Sequence, residues 1–137
     1  MWKKWMAAGA IFAGLSVILG ALSAHRLRDL LTGPEAAFHL DNFRTGALYQ
    51  MFHAFALIVA ALLMKLTGES RALKISCWLF TAGMLCFSGS LYLLSTRELT
   101  GLDSLTPVLG PITPLGGLCF IAGWATLAIA VLRKPVQ

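Results

Sequence analysis

TGALYQMFHAFALIVAALLM, residues 45–64, runs from Arg44 to Lys65 without a charged side chain, interrupted only by the imidazole of His53. A helix crosses the ~30 Å hydrocarbon core of a bilayer with about 20 such residues. Three further stretches match it: 5–24 between Lys4 and His25, 75–96 between Lys74 and Arg97, and 104–132 between Asp103 and Arg133. Alternating ten-residue segments of the barrel kind are absent, and in lipid the remaining way to close backbone hydrogen bonds is a helix. The last stretch exceeds one span, and Pro107, Pro111 and Pro114 crowd its front. Thr113 before Pro114 reads as an N-cap and first helical residue, which starts the fourth helix near 114. The expectation is all-α: an antiparallel four-helix transmembrane bundle in one integral membrane domain, residues 1–137, with spans about 5–25, 46–66, 74–96 and 114–133.

Composition agrees. Of 137 residues, 58% are apolar and 12% charged, where a soluble domain carries about 25% charged residues. A globule this small cannot cover its surface with so few polar side chains. A soluble enzyme, a disordered tail and a nucleic-acid module are excluded on that ground. The net charge of +5 lies between the apolar runs and not along one stripe, so no nucleic-acid partner is expected.

Lys and Arg set orientation. Lys3, Lys4, Lys65, Arg71, Lys74, Arg133 and Lys134 fall on one side of four spans, against Arg26, Arg28, Arg44 and Arg97 on the other. The excess puts both termini on the cytoplasmic side of a multi-pass membrane protein. Trp2 and Trp5 suit the inner interface, and Tyr49 and Tyr92 the outer one. Lys3, Lys4 and the later Ala21-Leu22-Ser23 also share the layout of a cleaved secretory signal. The apolar stretch between them is longer than a usual signal core. It carries Gly9, Ala13, Ser16, Gly20 and Ala24, largely at four-residue steps that let a second helix approach closely.

In loop one, Pro34 initiates a helix over about 34–43, where Ala36, Leu40 and Phe43 follow helical spacing; this reads as a short interfacial helix. His39 on it reads as solvated. The stretch Thr67-Gly68-Glu69-Ser70 is a tight turn, and 97–113 shows no periodicity.

Polar groups inside spans are costly and tend to mark working parts. Tyr49, Gln50 and His53 share a face of span two by their three- and four-residue spacing. His25 and Arg26 end span one on the same side, Ser88, Ser90 and Tyr92 lie toward that end of span three, and Thr113 lies at the start of span four. Together they form an expected polar patch in the outer leaflet, with His53 facing the bundle interior. Three readings stay open: hydrogen bonds that fix packing, a pocket for a lipid headgroup or small solute, and a metal or haem between His25 and His53. The last rests on two imidazoles without further ligand pattern, so no metal and no cofactor is expected. Cys77, Cys86 and Cys119 fall inside spans without a C-x-x-C pattern and read as packing residues. No Asp or Glu lies within a span, so neither Ser/His/acid catalysis nor a carboxylate proton relay is expected.

Four motifs carry a family resemblance. Gly20-Ala21-Leu22-Ser23-Ala24-His25 resembles a G-A-x-x-A-H ending of a first span, and Tyr49-Gln50-Met51-Phe52-His53-Ala54 a Y-Q-x-x-H-A motif. Phe87-Ser88-Gly89-Ser90-Leu91-Tyr92 resembles F-S-G-S-L-Y. Gly110-Pro111-Ile112-Thr113-Pro114, followed by Gly116-Gly117 through Gly123-Trp124, resembles a fourth-span signature. In this order they resemble the YgdD-like family of small four-span membrane proteins, a domain of unknown function, over nearly the whole chain. Ser23 departs from the pattern, which has Gly there. The resemblance implies the fold and a bacterial inner-membrane location, and no established activity, cofactor or catalytic residue.

Two classes of function follow. One is a non-enzymatic protein that binds a lipid or a partner protein through the polar patch; small-residue faces, such as Ala82, Cys86 and Ser90 on span three, would serve homo-oligomers or membrane-protein partners. The other is a small oligomeric transporter or channel for a small solute, its path lined by His25, Gln50, His53 and Ser88. An enzyme acting on lipid comes third, without an acid or metal cluster. For topology, a reporter fused after Gln137 is expected to be active in the cytoplasm and one in loop one in the periplasm. A C-terminal fusion active only in the periplasm contradicts the orientation.

Overall fold

A peptide group without a partner costs several kcal/mol in hydrocarbon, so each apolar run closes its hydrogen bonds on itself. The computed structural model describes residues 1–133, with four long helices among them: α1 (Trp2–Leu30), α2 (Ala36–Thr67), α3 (Arg71–Ser95) and α4 (Thr106–Arg133). Each is long and apolar enough to cross a membrane. Lys134 and Gln137, used above for topology, lie outside the described residues. α1 and α3 each contain one wider π turn, at Ser23–Leu27 and Met84–Ser88.

The turn between α2 and α3 shows how sequence sets the antiparallel path. Gly68 ends α2 at φ 81°, a conformation that other residues adopt at a cost. Ser70 then caps α3, its Oγ accepting from the Leu73 N–H at 3.2 Å. Between them the Glu69 carboxylate accepts from the Met1 amino group at 2.8 Å and from Lys74 Nζ at 2.9 Å. The Met1 amino group first and Lys74 second hold the Glu69 carboxyl below its usual range. A lowered carboxyl stabilises the fold above its unfolded pKa, and that contribution fades as pH falls through the lowered value.

Helices in lipid associate by van der Waals fit, since hydrocarbon surrounds them anyway. Close approaches therefore occur at glycines. A Cβ on Gly9 of α1 would lie 2.6 Å from Ile58 and 3.0 Å from the Ala54 carbonyl of α2. Gly46 of α2 sits beneath Tyr92 and Leu91 of α3. The α3–α4 seam is the tightest. Gly83 receives the Phe120 ring, a Cβ on Gly116 would strike the Phe87 backbone, and one on Gly123 would lie 2.7 Å from Phe80. Ala54, Leu57, Ala60, Ala61, Cys77 and Phe80 are fully buried at the centre. Backbones approach mainly between consecutive helices, so α1 rests on α2 and leaves most of its own surface outward. Outward faces stay apolar: Ile18, Ile121 and Leu132 are exposed.

Five expectations are corrected. The fourth helix begins at Thr106 and not at Pro114, and Pro111 and Pro114 lie inside it. Membrane helices tolerate such prolines because the freed carbonyls find other partners or local adjustment. Thr113 is accordingly no N-cap but an interior residue bonded sideways to α3, and the stretch 97–113 holds helical turns at Arg97–Thr100 and Asp103–Leu105 ahead of α4. Helix α1 does not stop at 25 but continues through its π turn to Leu30. The segment 34–43 is not a separate interfacial helix: α2 runs unbroken from Ala36, through Gly46, for 32 residues or about 48 Å. Phe43, buried against Tyr92 with Leu27 and Leu31, ties its early turns to the bundle, and the helix continues unbroken through Gly46. Finally, His39 is 2% exposed and not solvated, with Glu98 of the helical turn after α3 lying against it.

Gly116→Ala is expected to destabilise the bundle by about 1–3 kcal/mol, since backbone cannot rotate out of the overlap. Gly14 has no neighbour within 4 Å of an added Cβ, so Gly14→Ala is expected to be neutral or to stabilise by up to about 1 kcal/mol. Unfolding of both variants in detergent, by heat or by titrated SDS, checks the contrast.

Candidate functional site

Two faces of α2 carry most of the polar chemistry inside the bundle. Toward α1 and α3, Gln50 is buried; its Nε2 donates to the Phe12 carbonyl at 2.8 Å, and its Oε1 accepts from Tyr92 OH at 2.9 Å. One amide thus joins three helices. One turn earlier, Ser16 Oγ of α1 donates to the Ala47 carbonyl at 2.7 Å. Toward α4, His53 is 5% exposed. Its Nδ1 lies 2.7 Å from the Tyr49 carbonyl, and Trp124 Nε1 donates to its Nε2 at 3.2 Å. That pairing requires the neutral tautomer with the proton on Nδ1. The ring also stacks on Phe120, with centroids 3.4 Å apart and planes at 9°.

Between α2 and α4, where the backbones stand apart, lies a groove of about 970 Å³. That volume falls in the range of pockets that hold a small molecule. Tyr49, Phe52, Phe55 and Val59 of α2 form one wall, and Phe120, Ile121 and Trp124 of α4 the other. Ala56 and Gly117 leave its floor open, with Phe87 closing one side. His53 lies at the base, both ring nitrogens engaged. The walls are largely apolar, and the most exposed of these residues, Phe52, Phe55 and Ile121, face outward.

The expected patch therefore divides. Gln50 and Tyr92 are joined directly, and His53 lies on the groove side of the same helix. Tyr49 is 41% exposed at the groove edge, its ring against Phe87 at 4.8 Å. Ser90 and Thr113 form a separate α3–α4 link, their oxygens 2.6 Å apart; Thr113 can donate to Ser90, which donates on to the Phe87 carbonyl at 3.0 Å. Ser88 is fully buried, and its hydroxyl has no hydrogen-bond partner in the described residues. His25 and Arg26 are exposed on the π turn of α1 and join none of these contacts. A metal or haem held between His25 and His53 does not fit this arrangement, since the Nε2 lone pair of His53 already accepts from Trp124. The sequence reading missed Phe120, Trp124 and Gly117. Their signal was present: Phe120 and Trp124 are four apart on one helical face, beside the Gly116-Gly117 pair.

Comparison with known proteins identifies the chain's relatives. The profile of a family described as "Protein of unknown function (DUF423)" matches residues 19–117. The UPF0382 membrane protein YwdK of Bacillus subtilis is 37% identical over 131 residues, 96% of this chain and 98% of that protein. A UPF0382 membrane protein of Haemophilus influenzae is 37% identical over 134 residues, covering 98% of both chains. A UPF0382 membrane protein of Schizosaccharomyces pombe, C1782.12c, is 37% identical over 118 residues, 84% of this chain and 90% of that one. No solved structure matches. With four spanning-length apolar helices and relatives named as membrane proteins that it matches over 90–98% of their length, this chain is a membrane protein.

The Gln50–Tyr92 bond gives a direct test of the network. In a double-mutant cycle of Gln50→Leu and Tyr92→Phe, the coupling is expected near 0.6 kcal/mol and below about 1.7 kcal/mol, the range of hydrogen bonds between membrane helices. SDS-induced unfolding measures it, and additive single effects would contradict the bond.

Proposed function

The chain belongs to the DUF423 family of proteins of unknown function, and from that footing we propose a non-enzymatic role in which the groove between α2 and α4 binds one acyl chain of a membrane lipid. The observation that carries this reading is the groove itself, about 970 Å³ with largely apolar walls and outward-facing aromatic rims. Hydrocarbon is the medium on that side, so an acyl chain meets the groove without leaving its own phase. The aromatic stack of His53, Phe120 and Tyr49 stiffens the base, and a stiff preformed groove lowers the entropy cost of binding. The polar patch supports this role by fixing the helices and not by touching the ligand. Gln50, Tyr92 and His53 commit their hydrogen bonds to partners within the protein, which leaves a solute path without polar lining and argues against the transporter reading.

We further propose an inner-membrane location with both termini in the cytoplasm, which the Lys and Arg distribution supports. The four ordered motifs support a YgdD-like identity within the family.

A Cβ on Gly117 would meet only Phe87, at 3.9 Å, so Gly117→Phe fills the groove without moving backbone. Purified in native lipid discs, the wild type is expected to retain lipid through detergent exchange, read by mass spectrometry. Gly117→Phe is expected to lose at least about tenfold of it, roughly 1.4 kcal/mol of affinity, with helix content unchanged. Equal lipid in both proteins would sink the proposal. So would crosslinks from Phe55 to a second copy, which would make the groove an interface between chains.

A further inference from the structure

A second constellation lies at the N-terminal end of α2, beside the segment that follows α3. Glu35 immediately precedes α2, His39 sits on its first turns, and Glu98 belongs to the helical turn after α3. His39 Nε2 lies 3.4 Å from Glu35 Oε2 and 3.7 Å from Glu98 Oε1. The three ligand atoms all fall within 4.8 Å of one another. His39 lies fourteen residues before His53, about 21 Å along the helix, so this cluster is separate from the groove.

The decisive feature is the imidazole. Its side chain is 3% exposed, and Nε2 is buried without a hydrogen-bond partner although two carboxylates face it. A buried ring nitrogen left that way forfeits the hydrogen bond it had in water. Neither carboxylate contact has the geometry to repay it. A cation between the three groups would. Zinc bonds to nitrogen and carboxylate oxygen of ~2.0–2.2 Å set neighbouring tetrahedral donors about 3.4 Å apart, close to the two distances seen here. The Glu side chains are 64% and 53% exposed, so they are free to close the third edge.

Charge agrees with geometry. The ion pairs around the cluster bring in one guanidinium, Arg97, at 3.6 Å from Glu35 and 3.5 Å from Asp103. Arg97 also donates to the Leu94 carbonyl at 3.0 Å, which fixes it on the end of α3. The carboxylates of Glu35, Glu98 and Asp103 against this single cation leave two negative charges, the charge that a divalent ion offsets. Arg97 Nη2 lies 3.6 Å from Glu35 Oε2, the same oxygen that faces His39, and so holds that carboxylate beside the imidazole.

We propose that Glu35, His39 and Glu98 bind a divalent transition-metal ion of the zinc class, which clamps the start of α2 to the end of α3. Mixed imidazole and carboxylate donors suit such an ion, and three protein ligands leave a coordination position open to water or an external ligand.

The test uses the full chain in lipid discs, stripped with a chelator and titrated at neutral pH with Zn²⁺ alone by calorimetry, with Co²⁺ absorption as a second probe. Expected are one saturable Zn²⁺ per chain, a rise in thermal midpoint on binding, and a tetrahedral Co²⁺ spectrum. His39→Gln and Glu98→Gln are each expected to weaken binding at least roughly 100-fold. Glu98 is surface-exposed, so its variant keeps the fold even where a change at buried His39 disturbs it. His25→Gln, at an imidazole that shares no contact with the cluster, is expected to bind as the wild type does. The proposal is overturned if the wild type shows no saturable Zn²⁺ binding, if Glu98→Gln binds unchanged, or if His25→Gln weakens binding equally. In those cases the three residues are an ion-pair clasp only.

Discussion

Where Gly116 of α4 meets Phe87 of α3, the two backbones approach so closely that no side chain larger than hydrogen fits. Much of the interior follows from that contact. With Gly83 and Gly123 on the same seam, it sets Phe120 into α3 and places its ring beneath His53. The stacked pair brings Trp124 within reach of the imidazole and so fixes which nitrogen carries the proton. It also leaves α2 and α4 apart at the level of Ala56 and Gly117, and that separation is the groove. In a bilayer no solvent force pushes helices together, so a glycine seam that maximises dispersion contact organises everything attached to it.

The polar side chains obey the same economy of partners. Gln50, Ser16, Ser90 and His53 each reach a backbone carbonyl. A helix carbonyl already bonded along its own ladder retains a second lone pair, so such bonds cost the acceptor helix nothing. Gln50 adds a side-chain partner from a third helix, Tyr92, and His53 one from a second, Trp124. These residues hold the helices in register, and the surface offered to a ligand is the apolar one beside them.

Spans were readable because charge exclusion over 20 residues is a one-dimensional property of the chain. Their ends were less so. Three prolines before 115 pointed to a late start for α4, yet a helix in lipid carries Pro111 and Pro114 without breaking. Gly46 and the change from polar to apolar sequence near it suggested a boundary that α2 ignores, because Phe43 is held by Tyr92 from a helix 49 residues away in the chain. Spacing along α2 put Gln50 and His53 on one face, whereas the packed helices turn Gln50 toward α1 and α3 and His53 toward α4. It could not reveal that His25 would lie outside, or that Trp124 would complete the imidazole's bonds, since both depend on how separate helices pack. His39 shows the limit most clearly. On its own segment it looks solvated, and only the turn that carries Glu98 buries it.

Helix α1 stands apart from this arrangement. It touches the rest chiefly through α2, at Gly9, at Ser16 and at the Phe12 carbonyl that Gln50 reaches, with Trp5 against Trp78 near its start. The aromatic seam, the groove and the Glu35–His39–Glu98 cluster involve none of its residues. In the language of cooperative units, α2 through α4 form one block and α1 is a satellite docked on it. Separating α1 alone would expose the face of α2 around Ala47 and Ala54 while leaving the seam, the groove and the cluster intact.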